Sequence, residues 1–119
     1  MLVVKTYLGE SPGKGIGLFA GEPIQQGQEV WVFHPSIDLL FAENDVPQEA
    51  REFFDTYAIE YEPGNYMVHV DNARFINHSE EPNIVHLGGF YPSVASRDIA
   101  ADEEITVAYE TIDIHGVDF

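Results

Sequence analysis

With 119 residues the chain suits one domain, which would bury roughly 65% of the surface it exposes unfolded. A hydrophobic content of 45% argues against disorder, the absence of cysteine excludes disulfides and thiolate zinc sites, and no apolar run approaches the ~20 residues of a membrane span. The formal charge of −16, from 21 acidic and five basic residues, disfavours nucleic acid and anionic membranes as partners and favours cationic ones, although a solvated surface kept for solubility accounts for it equally well.

In chain order, Leu2 to Tyr7 reads as a strand. Ser11 to Gly17 reads as a loop that enters a short apolar stretch at Leu18-Phe19-Ala20. Glu29 to Phe33 alternates as a strand, with Val30 and Val32 on one face and Trp31 and Phe33 on the other. A helix is expected from Pro47 to Ala58, with Asp45 as cap, Pro47 in the first turn and Gln48 at the capping-box position. Its stripe of Ala50, Phe53, Phe54, Tyr57, Ala58 and Tyr61 has helical spacing, and Phe53 and Phe54 read as core. Tyr66 to Val70, Ile84 to Leu87, Tyr91 to Arg97 and Glu104 to Tyr109 complete the expected strands. Pro23 to Val30 is echoed by Asp98 to Ile105, each an apolar anchor, a turn, an acid and a strand, with Gly27 and Asp102 at matching turn positions. Such an echo implies pseudo-symmetry or coincidence.

Three segments carry chemistry. Gly15-Ile16-Gly17 permits close approach of a ligand to the backbone, or makes a plain turn. Arg74-Phe75-Ile76-Asn77-His78-Ser79-Glu80-Glu81-Pro82-Asn83 presents Asn and His donors and acceptors fit for a polar ligand. Taken singly, Asn77 reads as a turn residue, His78 as a satisfied core histidine and Ser79 as a cap. Glu103 to Tyr109 is a strand ending at a tyrosine, a residue that alone would be structural. The five histidines, His34, His69, His78, His86 and His115, fall on separate elements without ligand spacing, which disfavours a metal-dependent hydrolase.

The Arg74-to-Asn83 segment closely resembles the central motif of SET domains, R-F-I-N-H-S-C-x-P-N, and Gly15-x-Gly17 and Glu104 to Tyr109 resemble the two flanking motifs, in the right order. The resemblance spans residues 13 to 110. It implies a mainly β SET fold of small curved sheets with a C-terminal pseudoknot and one short helix, as a single SET domain over residues 1–119 with no pre-SET and no zinc-binding post-SET module. It implies S-adenosylmethionine as cofactor, without metal, and methyl transfer to the ε-amine of lysine in a basic protein such as a histone. The alternative is a catalytically weak SET domain that binds cofactor or peptide.

By the same resemblance, Gly15, Ile16, Gly17, Asn77 and His78 bind the cofactor, and Tyr109 is catalytic. Tyr57 walls the lysine channel, with Tyr61 and Tyr66 as further candidates, and Val107 stands where many members carry a Phe or Tyr that influences how many methyls are added. Tyr57 reads equally as core. Arg74 reads as a structural salt bridge supporting the motif. The motif cysteine is Glu80 here, so Thr111 to Phe119 must close the channel differently, through Ile112, Ile114, Val117 and Phe119, unless that tail frays or makes a dimer contact. Small members can dimerise to complete their groove, so the resemblance makes a homodimer a candidate assembly. Without a recognisable signal peptide, the expected location is intracellular and soluble, in cytoplasm or nucleus, with no direct nucleic-acid or membrane partner.

Overall fold

The structure, a computed structural model, describes residues 1–108. Among the described residues, ten short strands form four small sheets around one short helix. Strands β1 (Thr6–Ser11) and β2 (Gly15–Ala20) form an antiparallel hairpin. Strands β3 (Glu29–Trp31), β9 (Ser93–Ala95) and β8 (Ile84–His86) form a second sheet, in that order. Strands β4 (Asp38–Ala42), β6 (Asn65–His69) and β5 (Ile59–Glu62) form a third, and β7 (Asn77–His78) pairs in parallel with β10 (Thr106–Val107). The mainly β architecture of small sheets with one short helix, expected from the sequence, is the one observed. The expected pseudoknot involves residues past Ala108, outside the described residues.

The alternation in β3 has two cores to serve. Val30 joins Leu18, Ala20, Ile24, Ile84, Ala95, Ile99, Ile105 and Val107 in one cluster, while Trp31 joins Met67 and Ala73 in another. A strand buried on both faces needs apolar side chains on both, which Val30 and Trp31 provide.

The sequence echo is a structural repeat. Ile24 and Ile99, each 1% exposed, exchange both backbone hydrogen bonds at 2.8 Å. Around them the contacts match pairwise. The Gly27 and Asp102 amides donate to the Ala95 and Ala20 carbonyls, and the Gln28 and Glu103 carbonyls accept from the Ala95 and Ala20 amides. The Gln28 and Glu103 side chains each accept from the amide three residues earlier, at 3.0 Å. Gly27 and Asp102 both sit at positive φ, 83° and 69°. Asp is among the few residues that tolerate this region, and the Tyr7 hydroxyl fixes its carboxylate at 2.8 Å.

Several local expectations change. Gly15 to Gly17 lie in β2 rather than in a loop, because Ser11 and Gly15 already close the hairpin. The helix is shorter, Arg51–Tyr57, preceded by a 3₁₀ turn at Gln48–Ala50. Asp45 ends a separate 3₁₀ turn, and Pro47 and Ala50 occupy the two cap positions without a side-chain bond. Phe54 is buried, but Phe53 is 48% exposed and rests on Tyr57. With only two turns of helix, the buried stripe is too narrow to hold both. Strands β4 and β5 lie where no strand was expected.

Candidate functional site

The candidate cofactor residues converge although they come from distant parts of the chain. Hairpin β1–β2 presents Gly15, Ile16 and Gly17, and β7 presents Asn77 and His78. A 3₁₀ turn at Asn72–Phe75 delivers the chain into β7; Asp71 caps it by accepting from the Ala73 amide at 3.1 Å. Arg74 braces this turn by donating to the Val70 and Asp71 carbonyls at 2.8 and 3.1 Å, and its guanidinium lies 4.5 Å from the Phe75 ring centre and 5.9 Å from that of Tyr57. Its bonds to described residues therefore go to carbonyls and rings, not to the salt bridge expected.

Glu104 ties the three segments together. Its carboxylate accepts from Ser11 Oγ at 2.9 Å and from Asn77 Nδ2 at 3.0 Å. Asn77 Nδ2 also donates to the Ile16 carbonyl at 3.1 Å. The carboxylate lies so close to Gly17 that a Cβ there would sit 2.5 Å from Glu104 Oε2. Gly17 is thus required by sterics within the protein. Gly15 is different: its φ of +82° favours glycine, and a Cβ there would meet nothing within 4 Å. An open strip of backbone at Gly15, with the 53% exposed Ile16 beside it and the Asn77 amide at its edge, is compatible with an extended polar ligand lying along β2. Lys14 Nζ closes the strip by donating to the His78 carbonyl.

Asn83 holds the third segment in place. It is 1% exposed, its Nδ2 donates to the Glu104 carbonyl at 2.7 Å, and its Oδ1 accepts from the Thr106 amide at 2.9 Å. Ser79 N donates to the Val107 carbonyl at 3.0 Å, extending the β7–β10 pairing. The Pro82-Asn83 part of the motif is therefore a clamp on the strand that leads to position 109. Tyr109 itself lies outside the described residues.

Beside this cluster is a cavity of about 290 Å³, at the small end for ligand sites. Tyr57, Tyr61 and Val107 line it, with Ile59, Ile76 and Met67 among the apolar walls. Tyr66 does not line it: its ring stacks edgewise on Phe54 at 5.0 Å, and its strand partner is Phe41. The Tyr61 hydroxyl is pushed up from its usual pKa, by burial first and then by the Glu62 charge.

Polar groups not expected from the sequence also face this cavity. His69 and His86 line it on two edges of Trp31, with ring centres 5.3 and 5.5 Å from the indole. Asp38 is fully buried behind His69 and bonds its Nδ1 at 2.8 Å. The same carboxylate accepts from the Met1 ammonium at 2.7 Å, the His34 amide at 2.8 Å and Trp31 Nε1 at 3.3 Å. Burial pushes the Asp38 carboxyl up, but the bonds from His69, Met1 and His34 outweigh it and lower it to about 2. Nothing in the spacing of Asp38 and His69 announced this pair; only β4–β6 pairing, which sets Asp38 opposite His69, brings them together.

No curated protein sequence matches the chain. The family model for the SET domain matches residues 15–110. Among solved structures, a candidate histone methyltransferase from Plasmodium falciparum is similar with a TM-score of 0.65 and 21% identity, over 88% of this chain and 96% of that one. KRYPTONITE, in complex with mCHG DNA and SAH, is similar with a TM-score of 0.64 and 22% identity, over 91% of this chain and 24% of that one. A humanized mutant of the Chaetomium thermophilum Polycomb Repressive Complex 2, bound to an inhibitor, gives 0.65 and 26% identity, over 89% of this chain and 15% of that one.

Proposed function

The chain belongs to the SET-domain family, and on that premise we propose that it is a protein-lysine methyltransferase. The observation that carries the reading is the joining of all three motif segments through Glu104, next to a small, largely apolar cavity. The lining suits S-adenosylmethionine: an open backbone strip at Gly15 and Ile16, Asn77 Oδ1 and the His78 backbone would hold its amino-acid end and adenine. When bound, that cofactor supplies an electrophilic methyl on a sulfonium. The chain's own work is positioning and electrostatics. Tyr57 and Val107 line the cavity that would admit the lysine side chain, and its apolar walls disfavour the charged form of an entering lysine. Tyr109, two residues beyond Val107, is the proposed catalytic hydroxyl that orients the amine.

The substrate class follows from charge. A surface with a formal charge of −16 attracts Lys/Arg-rich chains, so basic proteins such as histones are the proposed substrates. A second copy that completes the groove would make the working form a homodimer. Mass spectrometry of a histone and basic-protein panel after incubation with S-adenosylmethionine tests it. Methylated lysine supports the reading; unmodified lysines throughout the panel, with cofactor bound, contradict it.

A further inference from the structure

The two histidines of the cavity are used differently. His86 has both ring nitrogens occupied, Nδ1 by Ser93 Oγ at 2.9 Å and Nε2 by the Gly89 carbonyl at 3.0 Å. Burial foremost, helped by the nearby His69 and opposed by the Gly89 bond, lowers its pKa and keeps it neutral. It is a structural histidine. His69 is not satisfied in this way. Asp38 takes Nδ1, and Nε2 has no bond among the described residues. Because Asp38 is ionised, it holds the proton of neutral His69 on Nδ1, which leaves the Nε2 lone pair as the ring's acceptor. The residue lines the same cavity as Tyr57 and Val107. A carboxylate behind a histidine, with the far nitrogen open to a ligand space, is the arrangement of an oriented proton acceptor.

We propose that His69 Nε2 accepts the proton of a primary ammonium that enters this cavity, the substrate lysine in the methyl-transfer reading on which this inference rests. The N–H bond breaks, the proton bonds to Nε2, and the electron pair stays on the lysine nitrogen as the nucleophile. Asp38 stabilises the imidazolium so formed, and water later takes its proton. The need is real, since an unperturbed lysine has a pKa near 10.4 and is almost wholly protonated at neutral pH. The charged and titratable groups around His69 are Asp38 and the Met1 ammonium behind it, His86 across Trp31, and Glu60, Arg74, Tyr57 and Tyr61 on the cavity wall.

Two measurements test it. In histidine-labelled wild-type protein, ¹⁵N NMR during titration with n-butylammonium chloride should move the His69 Nε2 resonance and leave His86 in place. A His69 signal unmoved at saturation overturns the proposal. In the second, His69→Gln should lower kcat by about 10²- to 10⁴-fold near neutral pH, with cofactor affinity retained, and the deficit should shrink as pH rises toward 10. Unchanged kcat, or a deficit equal at every pH, assigns His69 a structural role and overturns it. Asp38→Asn should give the same pH-dependent deficit in smaller degree. If wild-type protein methylates no lysine while butylammonium still moves His69 Nε2, the methyl-transfer reading falls and the amine site stands. If methylation is robust and both His69 measurements are negative, the reading stands and this inference falls.

Discussion

Replacing Gly17 with alanine should damage the site through Glu104 rather than through the backbone. The new Cβ would lie 2.5 Å from Glu104 Oε2 and 3.0 Å from its Cδ, where ordinary contact begins near 3.4 Å. The carboxylate must retreat by on the order of 1 Å, and the bonds from Ser11 at 2.9 Å and Asn77 at 3.0 Å cannot both survive. Hydrogen bonds to a charged group contribute about 1.5–3 kcal/mol each, and solvent recovers part of this at a half-buried site. The expected loss is about 2–4 kcal/mol, or a Tm lower by roughly 10 °C. Urea unfolding of the single variants and of Gly17→Ala combined with Glu104→Ala measures it as a double-mutant cycle. Without the carboxylate, adding the methyl should cost only about 1 kcal/mol, from the remaining contact with Ser11 Cβ at 3.1 Å. An equal cost in both backgrounds would refute the steric account and assign the effect to the strand itself.

Other expectations follow from the same geometry. Asn83→Ala should destabilise by about 3 kcal/mol in urea unfolding, because it orphans the buried Thr106 amide and Glu104 carbonyl. Acid should weaken the fold in two stages, read as urea midpoints against pH. The folded pKa of His86 lies below its usual 6.5, so its contribution is complete above that value and is lost as pH falls through the lowered one. Asp38 follows: its folded value of about 2 against 3.8 unfolded gives roughly 2 kcal/mol, complete above pH ~4 and lost as pH falls toward 2. Asp38→Asn should abolish the second stage.

What the sequence disclosed was local chemistry and repetition. The three motifs are contiguous strings, so their residues could be named, and the Ile24/Ile99 echo could be seen because matching turns demand matching residue types at Gly27 and Asp102. Pairing was harder to read. Gly15 and Gly17 look like turn residues, yet one sits in a strand at positive φ and the other gives way to a carboxylate from the far end of the chain. β4 carries no strand signal in the sequence because it opens on an aspartate, and an aspartate is fully buried only when partners neutralise it. Those partners, Met1, Trp31, His34 and His69, are scattered along the chain. The same scatter concealed the histidine wall of the cavity. Phe53 and Phe54 are equally apolar neighbours, and only the brevity of the helix decides which is buried.

Methyl transfer to lysine by this SET domain, with Tyr109 as the proposed catalytic hydroxyl, is open to direct test. Its most direct test is label transfer from methyl-labelled S-adenosylmethionine to a histone panel by wild-type protein and Tyr109→Phe in parallel. Label on lysine is expected with wild type, falling sharply in the variant while cofactor affinity is kept. Label that persists undiminished in Tyr109→Phe, or none from a wild-type protein that binds the cofactor, would contradict it.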